Sequence, residues 1–215
     1  MKTPLVVSGL ALSAAVASSA HAAFTGFTVE SAGTVSVGGQ SRQVFKVYAN
    51  FSASTDILLN VLKHAVTSGT MNALHNDFNT QGDDGPGSWN PSLTGNSAAA
   101  NDSYVTIRGV HGNGAATNLD PSFGEGFGGS IPSGAGWFNA TPSNNVVVGN
   151  SLRIMIMQVV IAAGGAGYTA SAEVGYKANA SDTQPLFGAG TYTIPAPGAL
   201  VLLGAAGLVG RRRRA

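Results

Sequence analysis

The stretch LRIMIMQVVIAAGGAGYTASAEVGY, residues 152–176, carries two different strand signatures side by side. From Leu152 to Ala163 the chain is almost continuously apolar, through Ile154, Met155, Ile156, Met157, Val159, Val160 and Ile161. A helix competes for such a run, but its β-branched residues and the Gly164-Gly165 pair that ends it favour a strand buried on both faces. From Tyr168 to Tyr176, Tyr168, Ala170, Ala172, Val174 and Tyr176 alternate with Thr169, Ser171, Glu173 and Gly175, the period of a half-buried strand. With the glycine pair between them, the two runs read as a hairpin whose first strand is central in its sheet.

The same signals recur outward from this pair. Phe24 to Glu30, Thr34 to Val37 and Gln43 to Phe51 read as successive strands, with Gly38-Gly39 as the turn between the last two and Phe45, Val47, Ala49 and Phe51 on one face. Asp56 to Val66 suits a short helix as well as a strand; the strand reading, with Ile57, Leu59 and Val61 on one face, is adopted. Ser103 to Arg108, Asn145 to Val148 and Phe187 to Ile194 complete the series. Only 10% of the chain is charged, and Gly, Ala, Ser, Thr and Asn are abundant, which favours strands and long turns over helices. The expected fold is therefore all-β, an antiparallel β-sandwich or jelly roll. Between Thr67 and Asn145 regular structure thins and turn residues dominate, so a functional site is expected in these connections.

Charge and motif content exclude several classes of function. The formal charge of +1 comes from Lys2 and Arg211 to Arg214; the six cations between Ala23 and Ile194 face all ten carboxylates, leaving the body at −4. No basic cluster remains there to hold nucleic acid. With no cysteine, disulfides and thiol chemistry are absent, and packing with backbone pairing must carry the stability. The chain lacks a Gly-x-Ser-x-Gly elbow, a His-Glu-x-x-His pair and a phosphate-binding loop, so the body is expected not to be an enzyme, the alternative being a carbohydrate-binding module or a secreted carbohydrate-active enzyme. His64, His75 and His111 are too scattered in sequence to form a metal site, and no cofactor is expected apart from calcium. For calcium, Asp83, Asp84, Asp120 and Glu125 offer carboxylates in turn-rich loops, although loop solvation and turn capping are the simpler account of them. Trp89, Trp137 and Phe138 also lie among glycines. Exposed, such rings could stack on a polysaccharide; buried, they would cap the open end of a sandwich.

The two ends read as addresses. Lys2, the apolar run Leu5 to Ala17 and the small residues Ala20 and Ala22 form a secretory signal peptide with cleavage expected after Ala22. At the other end, Pro195-Ala196-Pro197 precedes an apolar run from Gly198 to Gly210 and then Arg211, Arg212, Arg213 and Arg214. As a helix, the run would span about 20 Å, short of the ~30 Å hydrocarbon core. Each arginine costs about 3 kcal/mol at mid-bilayer, so the cluster acts as a membrane stop that keeps the extreme C-terminus cytoplasmic. Proline motif, short transmembrane helix and arginine cluster in this order resemble the PEP-CTERM sorting signal of exported bacterial proteins, with Ala196 where that motif has glutamate. The resemblance covers residues 194–215 and implies processing by an exosortase-like membrane enzyme. The expected organisation is thus a signal peptide at 1–22, a β-sandwich domain at 23–193 and a sorting segment at 194–215. The expected partners are the secretion machinery, that processing enzyme and an extracellular polysaccharide. The expected location is the membrane transiently, then the cell surface or extracellular matrix.

Overall fold

A computed structural model describes residues 23–37, 39–75, 87–90, 101–107, 117–124, 128–139 and 146–198. The strands among them are β1 (Phe24–Val37), β2 (Gln40–Phe51), β3 (Ile57–Gly69), β4 (Tyr104–Val105), β5 (Thr117–Leu119), β6 (Trp137–Asn139), β7 (Val146–Val147), β8 (Arg153–Ala162), β9 (Tyr168–Lys177) and β10 (Leu186–Ile194). They form two antiparallel sheets, one in the order β1-β2-β8-β4 and the other β10-β9-β3-β6-β5, with β7 also paired to β3. The fold is all-β, as the alternation implies. The expected signal peptide, the apolar run after Gly198 and Arg211 to Arg214 lie outside the described residues. Among the described residues no helix is long and apolar enough to cross a membrane.

The first two expected strands are one. β1 runs unbroken past Glu30 and Thr34, because extra residues beside Gly26 and Gly33 are absorbed as bulges in its pairing with β2. Both glycines hold positive φ, 127° and 96°, which a Cβ would resist. Val37 and Gln40 are register partners across a tight turn in which Gly39 sits at φ 81°. The β2 face Phe45, Val47, Ala49 and Phe51 lies in the core as its period requires, and so does the β9 face Tyr168, Ala170, Ala172, Val174 and Tyr176.

β8 is central, flanked by β2 and β4, with Ile154 to Ile161 buried throughout. It does not form a hairpin with β9, which corrects the reading of residues 152–176. β9 pairs with β10 and β3 in the other sheet, so the short connection after Ala162 carries the chain across the sandwich. A glycine turn marks a reversal without stating which sheet receives the next strand. Here both edges of β8 are already taken.

β3 corrects a second reading. Against β9 it carries three bulges, between Leu58 and Asn60, Leu62 and Ala65, and Val66 and Ser68. Each inserts one residue and resets the alternation, so Ile57 and Val61 are buried as expected, but Leu58 and His64 join them in place of Leu59, which is only half-buried. The spacing of three from Leu58 to Val61 to His64 imitates a helix in the sequence. The second bulge holds Lys63 at φ 53°, leaving it outward while His64 turns fully inward.

At the edge where the two sheets meet, β1 packs on β10. A Cβ at Gly188 would lie 2.6 Å from Phe24, and one at Gly190 3.2 Å from Phe27, whose ring meets Tyr192 edge-on at 5.7 Å. The order of these contacts shows that β1 and β10 run in the same direction. The chain therefore enters the sandwich at one end and leaves it at the other.

Candidate functional site

The described parts of the long connections expected to hold function are tied down by buried polar groups. His75 Nε2 lies 3.0 Å from the carbonyl of Gly128, which also accepts from Trp89 Nε1 at 2.8 Å. On its other side His75 Nδ1 lies 3.4 Å from Asp102 Oδ1, and both side chains are wholly buried. The ring of Trp89 meets His75 edge-on at 4.9 Å. Ser103 follows, its hydroxyl donating to Leu74 O at 2.6 Å and accepting from Val160 N at 2.9 Å. An Asp, a His and a Ser thus come close, but the hydroxyl is committed to backbone and the imidazole faces acceptors on both sides. The cluster fastens the segments 71–75, 87–90, 101–103 and 128–131 together, since buried polar atoms need such partners.

A second buried group lies under β3. His64 Nε2 is 2.7 Å from the Tyr192 hydroxyl, and its ring packs beside Trp137. Burial pulls the imidazole pKa down from 6.5 to about 4 and pushes the hydroxyls of Tyr168 and Tyr192 far up. His64 is therefore neutral at physiological pH and serves as core.

Trp89 and Trp137 are 0% and 1% exposed, with their indole N–H groups donating to Gly128 O and Thr106 O. Their ring faces are covered, so neither can stack on a sugar in this arrangement. Phe138 is different. Adjacent residues on a strand point to opposite faces, so the inward Trp137 turns Phe138 outward, where it is 37% exposed. Asp120 caps a 3-10 turn, its Oδ1 accepting from Ser122 N at 2.9 Å. Asp83, Asp84 and Glu125, the other proposed calcium ligands, lie outside the described residues. Among the described residues no group of three His, Asp or Glu gathers as a metal site would require.

Among the described residues, the outer face of the six-stranded sheet carries several exposed functional groups. One row crosses it in register: Phe187 on β10, Gly175 on β9, Asn60 on β3, Phe138 on β6 and Asn118 on β5. Phe187 is 57% exposed. A Cβ on Gly175 would collide with Asn60 Oδ1 and lie 3.2 Å from the Phe187 ring, so the absence of a side chain there is what lets amide and ring lean together. Asn60 Oδ1 is buried against this glycine with no hydrogen-bond partner. Two residues along β9 and β10 lies a groove of about 210 Å³ lined by Lys63, Ser171, Ala172, Glu173, Ala189 and Gly190. Lys63 Nζ bridges it to Glu173 Oε2 at 3.0 Å.

No family model, curated protein or solved structure matches this chain. Its sites therefore rest on its own geometry. The stretch Pro195-Ala196-Pro197 sits where the last strand ends. Ile194 is fully buried, Pro195 and Ala196 are half-buried, and Pro197 is buried again. A Cβ at Gly167 would lie 2.5 Å from Ile194 O and 2.6 Å from Ala196 N, while one at Gly69 would lie 2.6 Å from Gly167 O. Three backbone segments stack there with no room for side chains. Sequence reasoning missed Asn60, Gly175 and Phe187. The signal was present for Phe187, which has the opposite parity to the inward Tyr192 and Ile194 on the same strand.

Proposed function

We propose that this chain is an exported bacterial surface or extracellular-matrix protein, a non-enzymatic β-sandwich sorted and processed through its C-terminal segment. The observation that carries the reading is the order of parts. A basic, apolar and small-residue start ends at Ala22, the sandwich runs from Phe24 to Ile194, and the proline motif, apolar run and arginine cluster follow at once. On this reading the folded body occupies the interval between the two address segments. Once the body is outside, the short apolar run is held by Arg211 to Arg214, and a membrane enzyme acts near Pro195 to Pro197.

The test is the intact mass of the protein from its native cell fraction. The mature form should lack about 2 kDa at the C-terminus, the weight of some twenty residues of this small-residue composition. Replacing all four arginines with serine should block maturation or release unprocessed protein. A mature surface form that still carries Arg214 would leave a plain membrane anchor in place of a sorting signal.

A further inference from the structure

We propose that the outer face of the six-stranded sheet binds a neutral glycan chain, laid across the strands from Phe187 to Phe138 and reaching the neighbouring groove. The two rings stand on the same face and in the same register row, three interstrand steps apart. At ~4.8 Å per step their Cα atoms are about 14 Å apart, the scale of a short oligosaccharide rather than of a single small ligand. Both rings are exposed while the large core aromatics are buried.

The chemistry between the rings selects the ligand. A pyranose presents apolar C–H faces, which stack on a phenyl ring, and equatorial hydroxyls, which need paired donors and acceptors. Gly175 lets the Phe187 ring lean over the row beside the Asn60 amide, whose oxygen is buried there, so the polar atoms open to a sugar lie on the flanks of the row. Asn118 adds a second, exposed amide beyond Phe138, and Ser171 and the Lys63–Glu173 pair offer further polar atoms in the groove. A lipid surface or a protein partner would instead call for a contiguous apolar patch, and polar groups separate these rings. An anionic ligand would call for clustered cations. Lys63 is already bridged to Glu173, and Lys177 lies at the end of β9 rather than in the row. The site uses no residue of the tail, so it stands or falls independently of the sorting reading.

The experiment is affinity electrophoresis of the sandwich-containing chain in gels carrying a soluble β-glucan, an α-glucan, a galactomannan or, as the charged control, hyaluronan. Retardation by at least one neutral glycan is expected, with no stronger retardation by hyaluronan. Phe187→Ala and Phe138→Ala should each weaken it about tenfold, and the double variant should abolish it. Because both rings are exposed, denaturant unfolding curves should stay unchanged, and Leu152→Ala, another exposed apolar residue away from the row, should bind normally. No retardation by any neutral glycan, or retardation that the double variant retains, would overturn the proposal. So would a change in sedimentation from dimer to monomer in the double variant, which would make the strip a contact between copies of the chain.

Discussion

His64 shows how one residue links local backbone to pH response. The bulge at Lys63 turns it into the core, where its Nδ1 has no hydrogen-bond partner among the described residues and a charged ring would have no counter-ion. Its pKa falls to about 4 in the folded chain and returns to about 6.5 on unfolding. Between these values the unfolded chain takes up a proton that the folded one refuses, so stability should fall as pH drops from 6.5 to 4. The loss reaches about 3 kcal/mol and levels off below that window. His64→Gln, which keeps a partner for Tyr192 without titrating, should flatten this limb of a stability-against-pH curve. An unchanged slope in the variant would place the acid sensitivity elsewhere. At this scale the sequence was only partly legible. Nothing near His64 in sequence announces a core position, because the bulge that buries it depends on β9, a partner more than a hundred residues away.

At the scale of elements, strands were easier to find than their neighbours. β9 follows the expected alternation as far as Val174, and β2 does so from Phe45 onward, since along these stretches one face meets the core and the other is only half-buried. β8 was recognisable by its nearly continuous apolar run, yet its assignment to a sheet depended on β2 and β4, and the glycine turn after it looks the same whether it closes a hairpin or crosses a sandwich. β3 was nearly lost to a helix because its three bulges space the core residues by threes. The backbone stack at Gly167 offers a test at this scale. A methyl group there would press on Ile194 O and Ala196 N, so Gly167→Ala should cost about 1 to 3 kcal/mol, as overpacking does. It should also speed hydrogen exchange of the Thr193 and Ile194 amides ahead of those in β8. Uniform exchange in the variant would show that the stack is not what holds the end of β10.

The described residues form two sheets around one core, and with no cysteine the chain has no disulfide staple. Circular dichroism of residues 23–198 should be dominated by strand, and the unfolding midpoint should not move when a reductant is added. A spectrum one third or more helical would reject the architecture. The sandwich class was readable because alternation needs only local sequence, whereas the binding face had to wait for the register that places Phe187, Asn60 and Phe138 in one row. The parallel course of β1 and β10 bears on how the molecule carries force. Tension between Phe24 and Ile194 pulls each edge strand along its own axis, in shear, against the twelve register pairs of β1 with β2 and the nine of β10 with β9. Those rows must yield together instead of unzipping pair by pair, so a body held at one terminus and tugged at the other resists as a shear clamp.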